Sequence, residues 1–333
     1  MKKSKYLLFI LFLLLTGCEK CDEPNPPVWT KYTDNPVMLP GSSTSWDKET
    51  IGFGSVIYYN NIYHMWYTGG STSDYSYHWR IGHATSDDGI SWTKDNSNPV
   101  LDKGTTGSWD DYFVHNPKVM VINNTFHMWY TGRKGKYGNG NFQIGHATSP
   151  DGTTWTKDAN NPVLTMGAAG TWDNSWINIG GVLYDDTKYH MWYSGCDTLS
   201  VGVKIGHATS TDGLTWTKDP ANPVLVSLVT GSWDYPRVEL PSVLFDGAVY
   251  HMWYSGGSTQ FMWKIGHATS ANGVSWTKDP SNPVLSTGQA SAWDSRSVAP
   301  MSVIEKSGKY MMWYFGSQLG VSTCIGYAEK PIE

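Results

Sequence analysis

The sequence predicts an all-β protein, a five-bladed β-propeller in which each blade has four antiparallel strands. Three observations support this fold class. One unit of 60 to 63 residues occurs five times along the chain. Each copy alternates aromatic and β-branched residues between clusters of Gly, Asn, Asp and Pro, which is the pattern of short strands joined by turns. The chain also begins with the last motif of the unit and ends with an earlier one, so its two ends can complete one blade.

Four short motifs mark every copy of the unit. A Trp-Thr-Lys step occurs at Trp29, Trp92, Trp155, Trp216 and Trp276. A Trp-Asp pair follows it, at Trp46, Trp109, Trp172, Trp233 and Trp293. A Met-Trp-Tyr core comes next, at Trp66, Trp129, Trp192, Trp253 and Trp313, and then an Ile-Gly pair, at Gly82, Gly145, Gly206, Gly266 and Gly326. Only the interval between the last two motifs varies in length. A unit of this length with room for four strands is typical of a propeller blade.

Each unit contains four strand candidates. The first follows the Trp-Asp pair, the second and third coincide with the Met-Trp-Tyr and Ile-Gly motifs, and the fourth begins at Trp-Thr-Lys. The Asp-Gly step at Gly89 predicts a tight hairpin between the third and fourth strands. Residues 29–39 supply the fourth strand of the last blade, so the propeller spans residues 28–333 and its ring closes without an exposed sheet edge. A solenoid is the alternative architecture, but it would need capping repeats, and the sequence shows none.

Composition excludes several classes of protein. The 333 residues are 14% aromatic and 16% charged, with a formal net charge of −5. A disordered chain and a polycationic nucleic-acid binder are therefore excluded, and we expect no nucleic-acid partner. The sequence has no nucleotide, flavin or zinc motif, so we expect neither a cofactor nor a bound metal. Four cysteines are too few for a disulfide framework in a chain of this length.

The N-terminal residues have the pattern of a secretion signal. Three lysines precede an apolar run over residues 6–15, and a Leu-Thr-Gly-Cys sequence ends at Cys18. The run is too short to span a bilayer, and small residues before a cysteine resemble the lipobox of bacterial lipoproteins. We expect a signal peptide over residues 1–17, lipidation of Cys18, and an acidic, proline-rich tether over residues 18–27.

This interpretation locates the protein in the bacterial cell envelope, with the N-terminal lipid anchor as its only attachment to a membrane. Glu19, rather than Asp, follows the lipidated cysteine, which by resemblance favours the outer membrane. The acidic residues of the tether are a hypothetical signal for export to the cell surface. The alternative is an ordinary secretory peptide with a chance cysteine.

Repetition separates structural positions from candidate functional ones, because a residue present in every blade serves the blade. Fifteen of the 18 Trp and eight of the 10 His are repeat positions. We expect the repeated histidines, such as His64 and His83, to pack on adjacent strands. We expect the Trp-Asp aspartates, such as Asp47, to bond in turns or between blades.

Ten positions near the start of the first strand differ among the blades. Five lie four residues after the Trp-Asp tryptophan, at Thr50, Phe113, Trp176, Arg237 and Ser297. Five lie six residues after it, at Gly52, His115, Asn178, Glu239 and Ala299. Positions of the same parity share one side of a strand, so these mouth residues are expected to line the opening of a central funnel. The length-variable loops open on the same face, as expected for a binding face.

The mouth residues suggest what the ligand is. Trp176 offers a flat apolar wall for a sugar ring, with Phe113 and Asn178 beside it; the alternative is that Trp176 simply plugs the funnel. Three arginines, Arg133, Arg237 and Arg296, lie on segments of the same face, and the arginine fork suits carboxylate, sulfate or phosphate oxygens. An anionic group in the ligand is one expectation, and pairing of the arginines with nearby aspartates is the alternative.

The fourth unit contains Glu239-Leu240-Pro241-Ser242-Val243, a Glu-x-Pro-x-Val sequence at the funnel. Together with the five copies of the unit, it resembles the five-bladed propeller glycosidases, the superfamily of arabinanases, β-xylosidases, invertases and levansucrases, most of all glycoside hydrolase family 43. The resemblance covers residues 29–333. It implies an enzyme acting on carbohydrate, with Glu239 as the general acid.

The sequence departs from this family at two positions. The first unit has Gly52 where the family has its Asp base, and the third has Asn178 where the family has an Asp that tunes the acid. Inverting hydrolysis needs a second carboxylate about 6.5–9.5 Å from the acid, which Glu49 or Asp47 would supply, and His115 is a further candidate base. A phosphorolytic relative needs only one acid and a basic cluster, for which the candidates are His115, Lys118, Arg237 and Arg296.

The expected function is therefore that of a cell-envelope glycoside hydrolase that binds an oligosaccharide or polysaccharide. A non-catalytic surface glycan-binding lipoprotein is the main alternative, because the base position is empty. A scaffold for protein interactions is the third.

Overall fold

In a computed structural model of the chain, the described part of the repeats folds into twenty short β-strands. The structure describes residues 28–71, 79–135, 142–197, 202–227, 229–258, 262–320 and 322–332. These ranges contain no helix that is long and apolar enough to cross a membrane. The predicted signal peptide over residues 1–17, the lipidation site Cys18 and the tether over residues 18–27 lie outside the described residues.

The strands are short and follow one another along the whole described chain. They are β1 (Thr30–Lys31), β2 (Thr50–Tyr59), β3 (Ile62–Gly70), β4 (Arg80–Ser86), β5 (Thr93–Lys94), β6 (Phe113–Ile122), β7 (Thr125–Arg133), β8 (Phe142–Ser149), β9 (Thr156–Lys157), β10 (Trp176–Tyr184), β11 (Tyr189–Cys196), β12 (Lys204–Ser210), β13 (Thr217–Lys218), β14 (Arg237–Phe245), β15 (Tyr250–Gly257), β16 (Trp263–Ser270), β17 (Thr277–Lys278), β18 (Ser297–Lys306), β19 (Lys309–Ser317) and β20 (Cys324–Pro331).

Five antiparallel sheets of four strands confirm the predicted five-bladed, all-β fold. Blade 1 is β2–β5, blade 2 is β6–β9, blade 3 is β10–β13 and blade 4 is β14–β17. Blade 5 joins β18, β19 and β20 to β1 from the other end of the chain, where Thr30 is opposite Glu329 and Lys31 is opposite Ala328. We call the first strand of each blade its inner strand; these are β2, β6, β10, β14 and β18. The inner strands of successive blades contact one another, and β18 contacts β2, so the blades form a ring.

A β-bulge interrupts every inner strand shortly after the mouth residues. The register shifts lie between Gly52 and Gly54 in blade 1 and at the matching place in the other four blades. At the bulge the backbone reaches φ of +34° at Phe53, +51° at Asn116 and +55° at Leu240. A bulge bends its strand and turns a side chain in a new direction. It therefore separates the mouth of each inner strand from the part that continues down the channel.

The core lies between blades and is built from the repeated aromatic residues. The Met-Trp-Tyr tryptophans of all five blades are at most 2% exposed. Trp66 of blade 1 packs with Val114 and Tyr130 of blade 2, and the same contact recurs around the ring. Each large aromatic ring buries on the order of 150–250 Å². Aromatic packing between sheets is thus the main stabilising interaction.

The repeated polar residues serve the blade that contains them. His64 Nδ1 lies 3.2 Å from His83 Nε2 on the neighbouring strand, as expected. The Asp47 carboxylate accepts hydrogen bonds from the Tyr67 hydroxyl at 3.1 Å and from Lys94 Nζ at 2.5 Å. All three residues belong to or immediately precede blade 1. The lysine bond recurs in the other four blades, and the tyrosine bond recurs in blades 2, 3 and 5.

The expectation of bonds in turns is confirmed, since Ser108 donates to Asp110 Oδ1 at 3.0 Å just before the aspartate. The alternative of bonds between blades was wrong, because each lysine partner lies on the fourth strand of the same blade.

Candidate functional site

The mouth residues lie on one face of the ring, together with the length-variable loops. Thr50, at the start of β2, is opposite Gly70 at the end of β3. Gly69 is in turn opposite Arg80 at the start of β4. The inner strand therefore begins at the edge where the loop between the second and third strands opens. We call this edge of the ring the variable face.

Glu239 and Arg237 form a buried ion pair at this face. They are two residues apart on β14, so their side chains leave the strand on the same side. Arg237 donates from Nε to Glu239 Oε1 at 2.8 Å and from Nη2 to Oε2 at 3.2 Å. Both side chains are about 4–5% exposed. The pair stands directly before the bulge at Leu240, whose N–H donates to the Ser194 hydroxyl of blade 3 at 2.8 Å.

Asn178 is held by a network between blades 2 and 3. Its Oδ1 atom accepts hydrogen bonds from the Thr131 hydroxyl at 2.8 Å and from Asn116 Nδ2 at 3.0 Å. The Asn116 amide also donates to the main-chain oxygen of Ile179. The Asn178 carbonyl is thus already engaged within the protein. Its amide nitrogen is the part of the side chain that remains to contact a ligand.

His115 is buried among aromatic rings. Its ring centroid lies 5.2 Å from those of Trp79 and Phe113 and 6.1 Å from that of Phe142. Neither ring nitrogen has a hydrogen-bond partner within the part of the chain that the structure describes. Burial lowers the pKa of His115 to about 3. The imidazole is therefore neutral at ordinary pH and is a weak base in this state of the protein.

Trp176 and Phe113 are more enclosed than an open sugar platform would be. Trp176 is 9% exposed and Phe113 is 1% exposed. Trp176 packs with Cys196 and Val203 of its own blade and with Phe142 of blade 2. This burial favours the alternative that Trp176 plugs the funnel, and its role in sugar binding stays a prediction.

Two further predicted site residues, Arg296 and Glu49, stand just before the inner strands of blades 5 and 1. Arg296 is half-buried and lines a separate groove with Met262 and Leu319, with a volume of about 520 Å³. Glu49 is half-buried just before β2, where its N–H donates to the Gly70 oxygen at 3.3 Å. It is the candidate carboxylate at the blade 1 edge of the mouth.

Lys118 is buried further along the channel, beyond the bulge. Its ammonium group donates to the main-chain oxygens of Gly54 at 2.7 Å and Met301 at 2.8 Å, which belong to blades 1 and 5. It borders a cavity of about 290 Å³ that is lined by inner strands of all five blades. Burial lowers the pKa of Lys118 to about 7. The predicted basic cluster of His115, Lys118, Arg237 and Arg296 is thus not assembled around one point. Lys118 instead bonds main-chain oxygens of two other blades.

Sequence reasoning placed Arg133 at the variable face but missed its stacking on aromatic rings. Its guanidinium carbon lies 5.2 Å from the Phe142 ring, 5.3 Å from that of Tyr112 and 5.8 Å from that of Phe113. A cation over aromatic faces is a favourable arrangement. The signal was that Arg133 follows the Met-Trp-Tyr core by four residues, where no other blade has an arginine. Within the described ranges, no three His, Cys, Asp or Glu side chains are grouped to hold a metal.

The fold is that of a five-bladed β-propeller, and the chain is similar to known glycoside hydrolases and phosphorylases. The family model for the glycosyl hydrolases family 32 N-terminal domain matches residues 53–175. An uncharacterized protein of Mycobacterium tuberculosis is 29% identical over 66% of this chain and 72% of its own length. A beta-1,2-mannobiose phosphorylase of Thermoanaerobacter sp. is 26% identical over 32% of this chain and 38% of its own length.

Solved structures share the fold over nearly the whole described chain. A complex of BT0996 with RGII aligns with a TM-score of 0.72 at 19% identity, covering 90% of this chain and 92% of its own. A beta-1,2-mannobiose phosphorylase from Listeria innocua, in complex with beta-1,2-mannobiose, gives 0.69 at 15% identity, with 91% and 97% covered. A thermostable family-43 glycoside hydrolase gives 0.66 at 18% identity, with 86% and 91% covered. The predicted resemblance to five-bladed propeller glycosidases is thus confirmed at the level of the fold.

Proposed function

We propose that this protein cleaves glycosidic bonds in an oligosaccharide or polysaccharide, with Glu239 as the general acid. The observation that carries the proposal is the buried Arg237–Glu239 pair on the bulged inner strand of blade 4. Glu239 supplies a carboxyl group that can serve as a proton donor to a leaving oxygen, and Arg237 supplies an anion-binding guanidinium beside it. The glycoside hydrolases and mannobiose phosphorylases among the similar proteins support the same class of reaction.

The ion pair must open before Glu239 can protonate a substrate. Both of its oxygens face Arg237, and the same guanidinium fork fits a carboxylate or a phosphate equally well. An anionic group that takes over Arg237 would free the Glu239 carboxylate to take up a proton from solvent, and Glu239 would then donate that proton to the leaving oxygen. The substrate is then either an acidic glycan or a neutral glycan that reacts together with inorganic phosphate.

The nucleophile distinguishes hydrolysis from phosphorolysis. Hydrolysis needs a base to activate water, and blades 1 and 3 offer Gly52 and Asn178 at the family positions. We assign that role to Glu49, since the low pKa of His115 makes it a poor proton acceptor. Phosphorolysis uses phosphate itself as the attacking group and needs no such base.

A glycan panel assayed with and without inorganic phosphate tests the proposal. Hydrolysis would release reducing sugar in both conditions, whereas phosphorolysis would release a sugar phosphate only when phosphate is present. Glu239→Gln should abolish either product and leave binding of the glycan nearly intact, because the proton donor is lost while ground-state contacts remain. Glu305→Gln is the matched control, because Glu305 is an exposed glutamate near the other end of an inner strand. A Glu239→Gln protein that folds and turns over at the parent rate would refute the assignment.

A non-catalytic glycan-binding protein is the second candidate. The observation in its favour is that neither Gly52 nor Asn178 supplies the carboxylates that the family uses. It predicts retention of a glycan from the panel with no product in either condition. Glu239→Gln would then weaken binding, because the glutamate would be a hydrogen-bonding group for the ligand.

We further propose that the protein is a lipoprotein of the bacterial cell envelope, anchored through Cys18. Cys18→Ser should move the protein from the membrane fraction to the soluble fraction and remove labelling by a fatty-acid probe, since no other attachment is inferred. Cys21→Ser is the matched control and should change neither result. Membrane fractionation of the Cys18→Ser protein without any fatty-acid label in the parent would refute the anchor.

A further inference from the structure

One position on every inner strand decides whether a side chain closes the seam to the next blade. This position is opposite the Met-Trp-Tyr tryptophan of its own blade, and its five residues are Ser55, Lys118, Gly181, Ser242 and Ser302. Each of the three serine hydroxyls accepts a main-chain N–H of the next blade at 3.0–3.1 Å. Neither lysine nor glycine has a hydroxyl to accept one, so blades 2 and 3 break the pattern.

Gly181 leaves a gap where three other seams have a serine hydroxyl. A Cβ atom placed on Gly181 would lie 3.4 Å from the main-chain nitrogen of Val243 and 3.6 Å from the main-chain oxygen of Pro241. Val243 follows Ser242 just as Val119 follows Lys118, and Val119 is the residue whose N–H the Ser55 hydroxyl accepts. The seam between blades 3 and 4 therefore lacks the side-chain acceptor that its main-chain N–H would otherwise meet.

The gap borders the channel cavity of about 290 Å³ that also contains Lys118, Ser55 and Ser242. These three side chains have hydrogen-bond donors to spare. The ammonium group has three N–H groups, of which two are used by the oxygens of Gly54 and Met301. Within the described residues, the Ser55 and Ser242 hydroxyls accept a main-chain N–H but donate to nothing.

The charge of Lys118 has no counterpart in this cavity. Lys118 is the only charged side chain among the described residues that line it, and it forms no ion pair with the described part of the chain. The lysine is only 9% exposed. A buried ammonium group without an opposite charge is costly. A water molecule would satisfy the spare donors but would not compensate the charge, whereas an anion would do both.

We propose that the central channel binds one small inorganic anion, such as chloride, between Lys118 and the gap at Gly181. The ammonium group, the Ser242 hydroxyl and the Val243 N–H are its donors. They come from blades 2 and 4, and Gly181 of blade 3 supplies the space, so the anion would join the blades whose seams lack a serine hydroxyl. The site lies beyond the bulge from Glu239 and does not rest on the proposed enzymatic activity.

The key variant is Gly181→Ser, which adds the hydroxyl that the other seams have. The space allows it, because the nearest atoms to a new Cβ are at ordinary contact distances and the backbone of Gly181 is not in the left-handed region. The new hydroxyl would accept the Val243 N–H and fill the anion site. Lys118→Met removes the charge and keeps a long side chain. Lys103→Met is the matched control, because Lys103 is exposed on a loop away from the cavity.

Thermal unfolding of these proteins in increasing sodium chloride tests the proposal. A ligand that binds only the folded state stabilises it, so the melting temperature of the parent and of Lys103→Met should rise by about 2–4 °C between about 5 mM and about 500 mM chloride. The rise should fall to less than half of this in Gly181→Ser and in Lys118→Met. If Lys118→Met does not fold, Gly181→Ser alone decides. An equal rise in Gly181→Ser, or no rise in the parent, would overturn the proposal.

Crystals grown in sodium bromide locate the site, because bromide replaces chloride and has an anomalous X-ray signal. We expect one anomalous peak in the channel of the parent and of Lys103→Met, and none there in Gly181→Ser. A channel without a peak in the parent would overturn the proposal. A peak in the parent without chloride dependence of its melting temperature would show an adventitious ion only and would overturn it as well.

Discussion

Arg237 donates hydrogen bonds to both carboxylate oxygens of Glu239, which lies two residues further along the same strand. Because both side chains are buried, each charge depends on the other for compensation. The ion pair therefore affects the stability of the fold and is also the candidate catalytic site. Its contributions to folding and to activity can be measured separately.

We expect Arg237→Leu and Glu239→Leu to lower the free energy of unfolding by about 3–5 kcal/mol each, since each removes the opposite charge of a buried ion pair. The double variant should recover most of that loss, because apolar side chains need no compensation. Urea unfolding at neutral pH gives all three values in one mutant cycle. Additive losses in the double variant would show that the two residues do not stabilise each other.

Buried histidines should make the protein sensitive to acid. Burial lowers the pKa of His115 to about 3, and that of four repeated histidines to about 4, namely His64, His146, His207 and His267. The unfolded chain takes up protons near pH 6.5. Between these values it binds more protons than the folded protein, so the free energy of unfolding falls as pH drops below about 6.5.

The His115→Phe variant isolates one contribution to this acid sensitivity. The new ring fits among Trp79, Phe113 and Phe142 and has no proton to gain. We expect the variant to lose less stability than the parent between pH 7 and pH 5 in urea unfolding. Equal losses in the two proteins would mean that His115 is protonated readily in the folded state.

A serine hydroxyl of one blade accepts a main-chain N–H of the next blade, and the equivalent serine one blade further on does not. The Ser194 hydroxyl accepts the N–H of Leu240 at 2.8 Å. In the next blade Ser255 stands at the same repeat position, but the residue at the place of Leu240 is Pro300, which has no N–H. Ser255 Oγ accordingly has no hydrogen-bond partner within the described residues.

Ser194→Ala should cost about 1–3 kcal/mol of unfolding free energy, because it leaves the buried Leu240 N–H unsatisfied. Ser255→Ala removes a hydroxyl that bonds nothing in the described ranges and should be neutral or slightly stabilising. Both serines are fully buried, so packing losses are comparable. Thermal and urea unfolding of the two variants measure what this hydrogen bond contributes to the free energy of unfolding. Equal losses in the two variants would contradict this account.

The repeats predicted the blades, the strand order within them and the pairing of the N-terminal strand with the last blade, because each is a local pattern copied five times. They also located Arg237 and Glu239 near each other, since two residues separated by one share a side of a strand. The bulges were not predicted. Two of their positive φ values, at Phe53 and Leu240, occur in residue types that rarely adopt them, so composition gave no signal there.

Burial at the mouth could not be predicted for a related reason. The enclosure of Trp176 depends on Phe142 and Val203, which come from two different blades. The stacking of Arg133 over three rings depends in the same way on loops and strands that are distant in the sequence. Parity along a strand indicates which residues share a side, but not how closely neighbouring blades approach them.

Trp176→Ala decides between the two roles of this tryptophan. At 9% exposure it fills space between blades 2 and 3, so we expect its removal to lower the free energy of unfolding by about 3–5 kcal/mol. Met262→Ala is the control, because Met262 is 52% exposed at the same face and should cost little. Melting temperature and affinity for a glycan identified in the panel are measured for both variants. A large loss of stability with unaltered affinity means that Trp176 is a plug, whereas weakened affinity with unchanged melting would establish it as a sugar platform and contradict the expectation from its burial.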